Sequence, residues 1–349
     1  MITYRTATSL DNPQLLELTR SAGMPGTIGL RTERDPDFFG MMRLRGPSTV
    51  LVAVAGERVV GSICLSKEDA YESGAKCELY YISDFKVHPR YRNQGIGLQL
   101  THEGVDYLME NQADLALLHV AKGNARPFAF FSERTPTPIY ENIGAFRVIQ
   151  FLGKKKLRAS DSAICELDAG PEVLQFLNDY YKERQLARVV TGSDLENVLI
   201  YGYFKGGEIR ALLCLQDTGA FKQHVITRLP ALLRGIVSLN NAVCRLLGTT
   251  RLPRVSEPIR MLYIKYLAAP DGNRKVVRCL IRKARQVAFD GSYAFVSLGL
   301  HERDPLLALL PGTHRLVFKS TGILVSMKRS RETVARVHAG IPFKDFSTV

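Results

Sequence analysis

No stretch of the chain approaches the run of about 18 apolar residues that a membrane-spanning helix needs. The opening MITYRTATSLDNPQ has neither a basic start nor an apolar segment behind it. A spanning helix and a secretory leader are therefore not expected, and the sequence reads as a protein made and kept in the cytoplasm, with no membrane insertion. Cysteine is sparse and scattered. Cys64, Cys77, Cys165, Cys214, Cys244 and Cys279 form no Cys-x-x-Cys pair and have no histidine close by. That excludes the familiar zinc spacings, so no metal is expected, and the thiols read as reduced residues of buried cores.

What is present is an ordinary globular composition on a long chain. The 349 residues are more than twice an average domain, and 46% of them are hydrophobic against 23% charged. Two domains with real cores are expected, and global disorder is excluded. The net charge of +13 is uneven, with 20 basic against 17 acidic residues up to Arg158 and 27 against 17 beyond it. A basic second half attracts nucleic acid, an anionic surface, an acidic substrate or a phosphorylated cofactor, and only a motif decides among them.

Along the chain, alternation over residues 2–8 predicts a strand, and Asn12-Pro13 with Leu15, Leu16 and Leu18 predicts a helix. Two β-rich runs from Thr49 meet at Gly56-Glu57, a hairpin signal. A third run, residues 78–87, breaks at His88-Pro89 before a glycine-bearing loop and a helix through Leu98, Leu100, Val105 and Leu108. Strands are expected at 115–120 and 146–152. The run Lys154-Lys155-Lys156-Leu157-Arg158 followed by Ala159-Ser160-Asp161-Ser162 places a domain boundary near 158. The order of elements then recurs: a strand at 163–167, a helix at 171–185, a hairpin at Gly206-Gly207-Glu208, an apolar helical stretch at 226–247, a strand at 261–267 and a helix at 275–289. Strands at 293–300 and 315–325, with a short helix between them, end the pattern. VAGERVVGSICL and FKGGEIRALLCL share Gly-Glu in the turn and Cys-Leu in the next strand, so the halves read as weak repeats of one α+β unit.

The chemistry lies in residues 83–100, SDFKVHPRYRNQGIGLQL. A strand runs through a two-glycine loop directly into a helix, so backbone N–H groups and the positive end of the helix dipole converge on one anion-binding spot. Gly95 and Gly97 let a phosphate approach the backbone, and Arg92 adds a cation. No Lys-Ser/Thr pair follows the glycines and there is no third glycine, so neither a nucleoside triphosphate nor a dinucleotide is indicated.

Arg92, Gly95 and Gly97, led by Val87-His88-Pro89-Arg90-Tyr91 and followed by Tyr140-Glu141-Asn142-Ile143-Gly144-Ala145-Phe146, resemble the signature of the GNAT superfamily of acyl-CoA-dependent N-acyltransferases over residues 2–152. The resemblance implies an α/β (α+β) chain of two GNAT-like domains, each a central mixed β-sheet flanked by helices: 1–158 binding acetyl-CoA or another acyl-CoA and carrying catalysis, 159–349 a degenerate unit that shapes the acceptor site. It implies direct attack of an amine, from a small molecule or a protein, on the thioester. Cofactor contacts would come from Phe85, Val87, Arg92, Asn93, Gln94, Gly95, Ile96, Gly97, Leu98 and Asn124. The pantetheine arm would lie in a gap between the strand ending at Val87 and the strand at 115–120, the former would carry a bulge there, and a backbone N–H near Val87 would polarise the thioester carbonyl.

For proton transfer the resemblance offers Tyr140 as the donor to the leaving thiolate, and Asp84 or Glu78 as the group acting on the amine. Phe131 stands where the family spacing puts the tyrosine, so Ser132 to Pro138 reads as an insertion ahead of Tyr140. His88 reads as a loop residue. In the second half, a strand, the loop Ala269-Pro270-Asp271-Gly272-Asn273-Arg274 and the helix KVVRCLIRKAR occupy the place of the phosphate loop without its paired glycines. No stacking-aromatic motif accompanies this basic helix, so nucleic acid is not expected as a partner. An acyl-CoA-binding module without activity, and a basic RNA-associated protein, are the alternatives.

Overall fold

The computed structural model describes residues 1–23, 27–121, 138–155, 163–312, 315–328 and 330–349. Its strands are β1 (Ile2–Thr6), β2 (Gly29–Glu33), β3 (Ser48–Ala55), β4 (Arg58–Glu72), β5 (Ala75–Val87), β6 (Leu115–Ala121), β7 (Ile139–Leu152), β8 (Ile164–Leu167), β9 (Ala187–Arg188), β10 (Val198–Lys205), β11 (Glu208–Asp217), β12 (Gln223–Arg228), β13 (Pro258–Ile259), β14 (Met261–Ala268), β15 (Phe295–His301) and β16 (Arg315–Ser326). The helices are α1 (Asn12–Ser21), α2 (Met42–Arg45), α3 (Ile96–Glu110), α4 (Pro171–Tyr181), α5 (Ala231–Leu247), α6 (Arg274–Asp290), α7 (Leu306–Leu309) and α8 (Arg331–Ala339).

One mixed sheet runs through the molecule in the order β1-β3-β4-β5-β6-β16-β7-β15-β14-β11-β10-β8, with β9 beside β4. Its two wings repeat each other. The hairpin β3–β4 turns at Gly56, in the left-handed region at φ 61°, and β10–β11 turns at Gly206 and Gly207, at φ 65° and 83°. Each wing then has a parallel pair closed by a crossover helix: β5 and β6 with α3, β14 and β15 with α6. At the centre the wings exchange a strand. β16, from the end of the chain, pairs with β6 through Ile323↔Leu118, while β7 pairs with β15 through Ile149↔Leu298. A small second sheet, β13-β12-β2, ties the two wings together on one side.

The helices sit where their apolar spacing requires. Ile96, Leu100 and Leu108, four or eight residues apart, are buried from α3 onto Ile63, Leu65 and Ile82. In α6, Val277, Leu280, Ile281, Ala284 and Ala288 form the inward stripe over Leu213, Ile264 and Val296. Fully burying each of the larger side chains contributes roughly 1.5–3 kcal/mol. Gly61 lets α3 approach, because a Cβ there would stand 2.8 Å from Leu100 Cδ1. On the opposite face residues 342–348 are buried beneath the sheet, with Phe346 against Gly299 and Lys344 paired with Glu68 at 2.7 Å.

Two expectations change. Residues 226–228 continue β12, and α5 starts only at Ala231 after Pro230. Cys165 is exposed, because β8 is an edge strand and the residue points away from the core, and Cys77 and Cys279 are only half-buried; Cys64, Cys214 and Cys244 are buried as expected.

Candidate functional site

The two-glycine loop has a definite backbone shape. Pro89–Tyr91 forms a short turn capped by His88, whose Nδ1 accepts from the Arg90 N–H at 3.3 Å. Asn93 at φ 62° and Gly95 at φ 77° then reverse the chain into α3. Gly95 is the N-cap, and with no side chain it leaves the first amides of the helix uncovered. A Cβ on Gly95 would meet nothing within 4 Å, so the space in front of the helix terminus is open. Arg92 braces the loop, its Nε donating to the Val87 carbonyl at 3.1 Å. Gly97 lies inside the first turn of α3 and is buried, so the conformational need for glycine falls on Gly95.

Behind the loop, β5 is bent. Its register with β4 shifts from Ser62↔Lys86 to Cys64↔Ser83, which leaves one extra residue on β5. The bulge centres on Asp84, a non-glycine residue at φ 51°. The parallel pairing of β5 with β6 stops at Ile82↔Leu118, so the strands part beyond it on the side of the loop. The β-bulge and the end of the β5–β6 pairing thus both lie on the part of β5 that leads through the loop into the uncapped helix terminus.

The bulge is held by charge. Asp84 Oδ2 pairs with Arg34 at 2.8 Å and with Arg45 at 2.9 Å, and Oδ1 with Lys86. Ser62 Oγ donates to the Asp84 carbonyl at 2.8 Å, and Arg45 also donates to Ser83 Oγ at 2.7 Å. Burial by itself would raise the Asp84 carboxyl, but Arg34, Lys86 and Arg45 outweigh it and hold it well below the ordinary carboxylate range. Such a carboxylate is a poor proton acceptor near neutrality. Arg34 keeps two buried donors, Nε and Nη1, without a partner among the described residues.

The other sequence candidates lie apart. Glu78 is on β5 before the bulge, paired with Lys67 across to β4. Tyr140 is on β7 opposite Val325 of β16, which is itself opposite Ala116 of β6, so it stands two strands from β6 on the closed side of the gap. Its ring lines a small void of about 10 Å³ with Ile63, Ile82, Thr101 and Leu108, under the middle of α3. Phe85 and Val87 border the bulge and the loop, and Phe85, like Tyr140, packs at the edge of the core under α3. Asn124 and Phe131 lie outside the described residues.

Sequence reasoning missed Arg34, Arg45, Lys86, Lys222 and His119. Only Lys86, two residues from Asp84 on one strand, left a local signal. His119 is the first residue of β6 beyond its pairing with β5; both imidazole nitrogens are buried without a partner among the described residues. It lies between the rings of Phe146 and Phe346, at 4.6 and 5.2 Å, and burial, with Lys344 and His301 nearby, pushes its pKa down to about 3.

The second wing lacks this loop. Asn273 caps α6, its Oδ1 accepting from Lys275 N–H at 2.9 Å and Val276 N–H at 3.4 Å, so the amides that α3 leaves uncovered are covered there. No cluster of three or more metal-ligating side chains occurs among the described residues.

Comparison with known proteins agrees with this geometry. The family model of the acetyltransferase (GNAT) family matches residues 15–134. Among solved structures, N-myristoyltransferase from Saccharomyces cerevisiae with bound myristoyl-CoA is similar at a TM-score of 0.62 and 12% identity, over 93% of this chain and 79% of that one. A GCN5-related N-acetyltransferase from Anabaena variabilis aligns at 0.53 and 11% over 93% and 72%, and one from Kribbella flavida at 0.50 and 12% over 92% and 70%. No curated protein sequence matches significantly. Residues 15–134 therefore resemble the acetyltransferase (GNAT) family, and the chain as a whole shares the fold of these N-acyltransferase structures.

Proposed function

We propose that this protein is an N-acyltransferase that moves an acyl group, acetyl in the first instance, from acyl-CoA to an amine by direct attack in a ternary complex. The observation that carries this is the coincidence of the uncapped α3 terminus with the β5 bulge and the parting of β5 from β6. Anionic groups of the cofactor suit the first, and an extended pantetheine arm suits the second. Phe85, Val87, Arg92, Asn93, Gln94, Gly95, Ile96, Gly97 and Leu98 would form the cofactor contacts, with Asn124 as a further candidate. The bound thioester supplies the electrophilic carbonyl.

In the reaction the amine nitrogen bonds to that carbonyl, the carbon–sulfur bond breaks, the amine proton passes to a base and the sulfur leaves as thiolate. A bulge locked by Asp84, Arg34, Arg45 and Lys86 keeps the backbone near Val87 in place as the oxyanion develops. In this reading residues 1–158 form the catalytic unit, and 159–349 shape the acceptor side without binding a second cofactor.

Titration with CoA and acetyl-CoA, followed by measurement of free thiol released with a panel of amines, tests the proposal. Binding with turnover supports it. Binding without turnover to any amine favours a module that has lost its chemistry, and no binding overturns both readings.

A further inference from the structure

A cavity of about 280 Å³ opens in the second lobe where β11 ends and β14 begins, under β12 and β13. Two groups of side chains face it. In one, the Arg260 guanidinium stacks on Tyr293, 4.9 Å from the ring centroid, and the Tyr293 hydroxyl donates to Asp217 Oδ2 at 2.7 Å. Arg260 has no carboxylate partner among the described residues. In the other, Lys222 lies 5.4 Å from the ring centroid of Tyr263 and donates to the Val349 carbonyl. Thr218 also lines the cavity; it is 1% exposed, and its hydroxyl has no hydrogen-bond partner among the described residues. Ile259 and Met261 add apolar wall.

The cavity connects with the bulge. Lys222 holds Val349, the neighbouring Thr348 carbonyl accepts from Arg45 Nε at 2.6 Å, and Arg45 reaches Asp84 at 2.9 Å. Three contacts thus link the cavity to the place where β5 and β6 part.

We infer that this cavity receives the amine acceptor, and that the acceptor is a single free amino acid with an apolar side chain, its carboxylate held by Arg260 and the Thr218 hydroxyl and its amino end directed toward Lys222. This rests on the acyl-transfer reading given above for the role of the ligand, though not for its binding. The charges select this class. The Arg260 guanidinium faces the cavity against one carboxylate that already serves Tyr293 and the Gly219 N–H at 2.7 Å, so a polycationic amine finds no free anion there. A wholly apolar compound would leave the Thr218 hydroxyl buried and unpaired, whereas a carboxylate satisfies it and the guanidinium together. The walls of Tyr263, Ile259 and Met261 suit an apolar side chain, and the volume suits a single residue.

Calorimetric titration of the full chain, without CoA, with L-phenylalanine, L-leucine and L-methionine and with their C-terminal amides tests this. At least one free acid should bind, its amide about tenfold or more weaker. Arg260→Gln, at an exposed position, should erase the difference between acid and amide. Thr218→Val, which keeps the shape, should weaken the acid severalfold, and neither change should alter CoA affinity. Equal binding of acid and amide, or no binding of any of the three acids at about 10 mM, overturns the inference. A protein that binds the acids but not CoA would keep this cavity as an amino acid site and remove the acyl-transfer reading instead.

Discussion

Asp84 and Arg45, 39 residues apart in sequence, meet at 2.9 Å with side chains 3% and 1% exposed, and their pairing fixes the only non-glycine residue of β5 that lies in the left-handed region. Arg34 and Lys86 share the same carboxylate. Asp84→Asn would leave three buried cations facing a neutral amide. The expected loss is about 3–5 kcal/mol of unfolding free energy, read from urea denaturation. A loss below about 1 kcal/mol would mean that water or a counter-ion already compensates these cations.

Gly95 lets the proposed cofactor site be tested apart from packing. Its left-handed φ of 77° with open space in front makes Gly95→Ala a backbone change with no clash. The strain amounts to about 1 kcal/mol, and the new methyl stands where a phosphate would approach the helix terminus. We expect the fold to persist and CoA affinity to drop about tenfold or more, measured by calorimetry. Unchanged affinity in a folded variant places the anion elsewhere.

Tyr140→Phe decides whether that phenol takes part in the chemistry. It stands two strands from β6, at the edge of the core under the middle of α3. We expect turnover within about threefold of the parent under conditions where chemistry limits the rate. A larger fall at constant KM for acetyl-CoA would return Tyr140 to the role of proton donor.

Lys222 links stability to pH. Burial, with Arg45 and Arg34 nearby, pushes its pKa down to about 7, while Asp84 and Asp345 oppose the shift. The unfolded chain holds this proton up to the ordinary lysine range, so between about 7 and 10 the unfolded state binds more protons and stability contributed at this position rises with pH. Lys222→Met removes that dependence. Its stability relative to the parent should be most favourable at pH 7 and decline steadily toward pH 10, as measured by denaturation at several pH values. A difference that does not vary with pH would show that Lys222 is charged in the fold.

The chain should bind one CoA. Asn273 covers the α6 amides that α3 leaves open, and Asp271 adds a negative charge to the same loop. Calorimetry at about 0.15 M salt, where long-range attraction by the basic helix is screened, should give a stoichiometry near one. Two tight sites would mean that the second lobe is not degenerate.

The parts of this molecule that were legible in its sequence are those written locally. Gly56-Glu57 and Gly206-Gly207-Glu208 mark the matching hairpins, and Cys64 and Cys214 fall on corresponding strands, β4 and β11. The loop from Arg92 to Gly97 was readable because turn, glycine and helix start are contiguous. Arg34 and Arg45 were not, because nothing near them in sequence announces that both will be buried against residue 84. Lys222 reads as one more surface cation until β12 pairs with β2 and brings it beside them. The exchange of β7 and β16 was equally silent, since either strand would fit either slot by alternation alone.

That exchange determines what happens when the covalent link between the halves is cut. An isolated fragment ending near 158 would have no β16 to lie between β6 and β7, and no β15 to cover the other side of β7. It would present unpaired strand edges and self-associate, while the complementary fragment would display β15 and β16 in the same way. Made together, the two pieces should find each other and rebuild the sheet as a nicked but single body, because each carries the strand that closes the other.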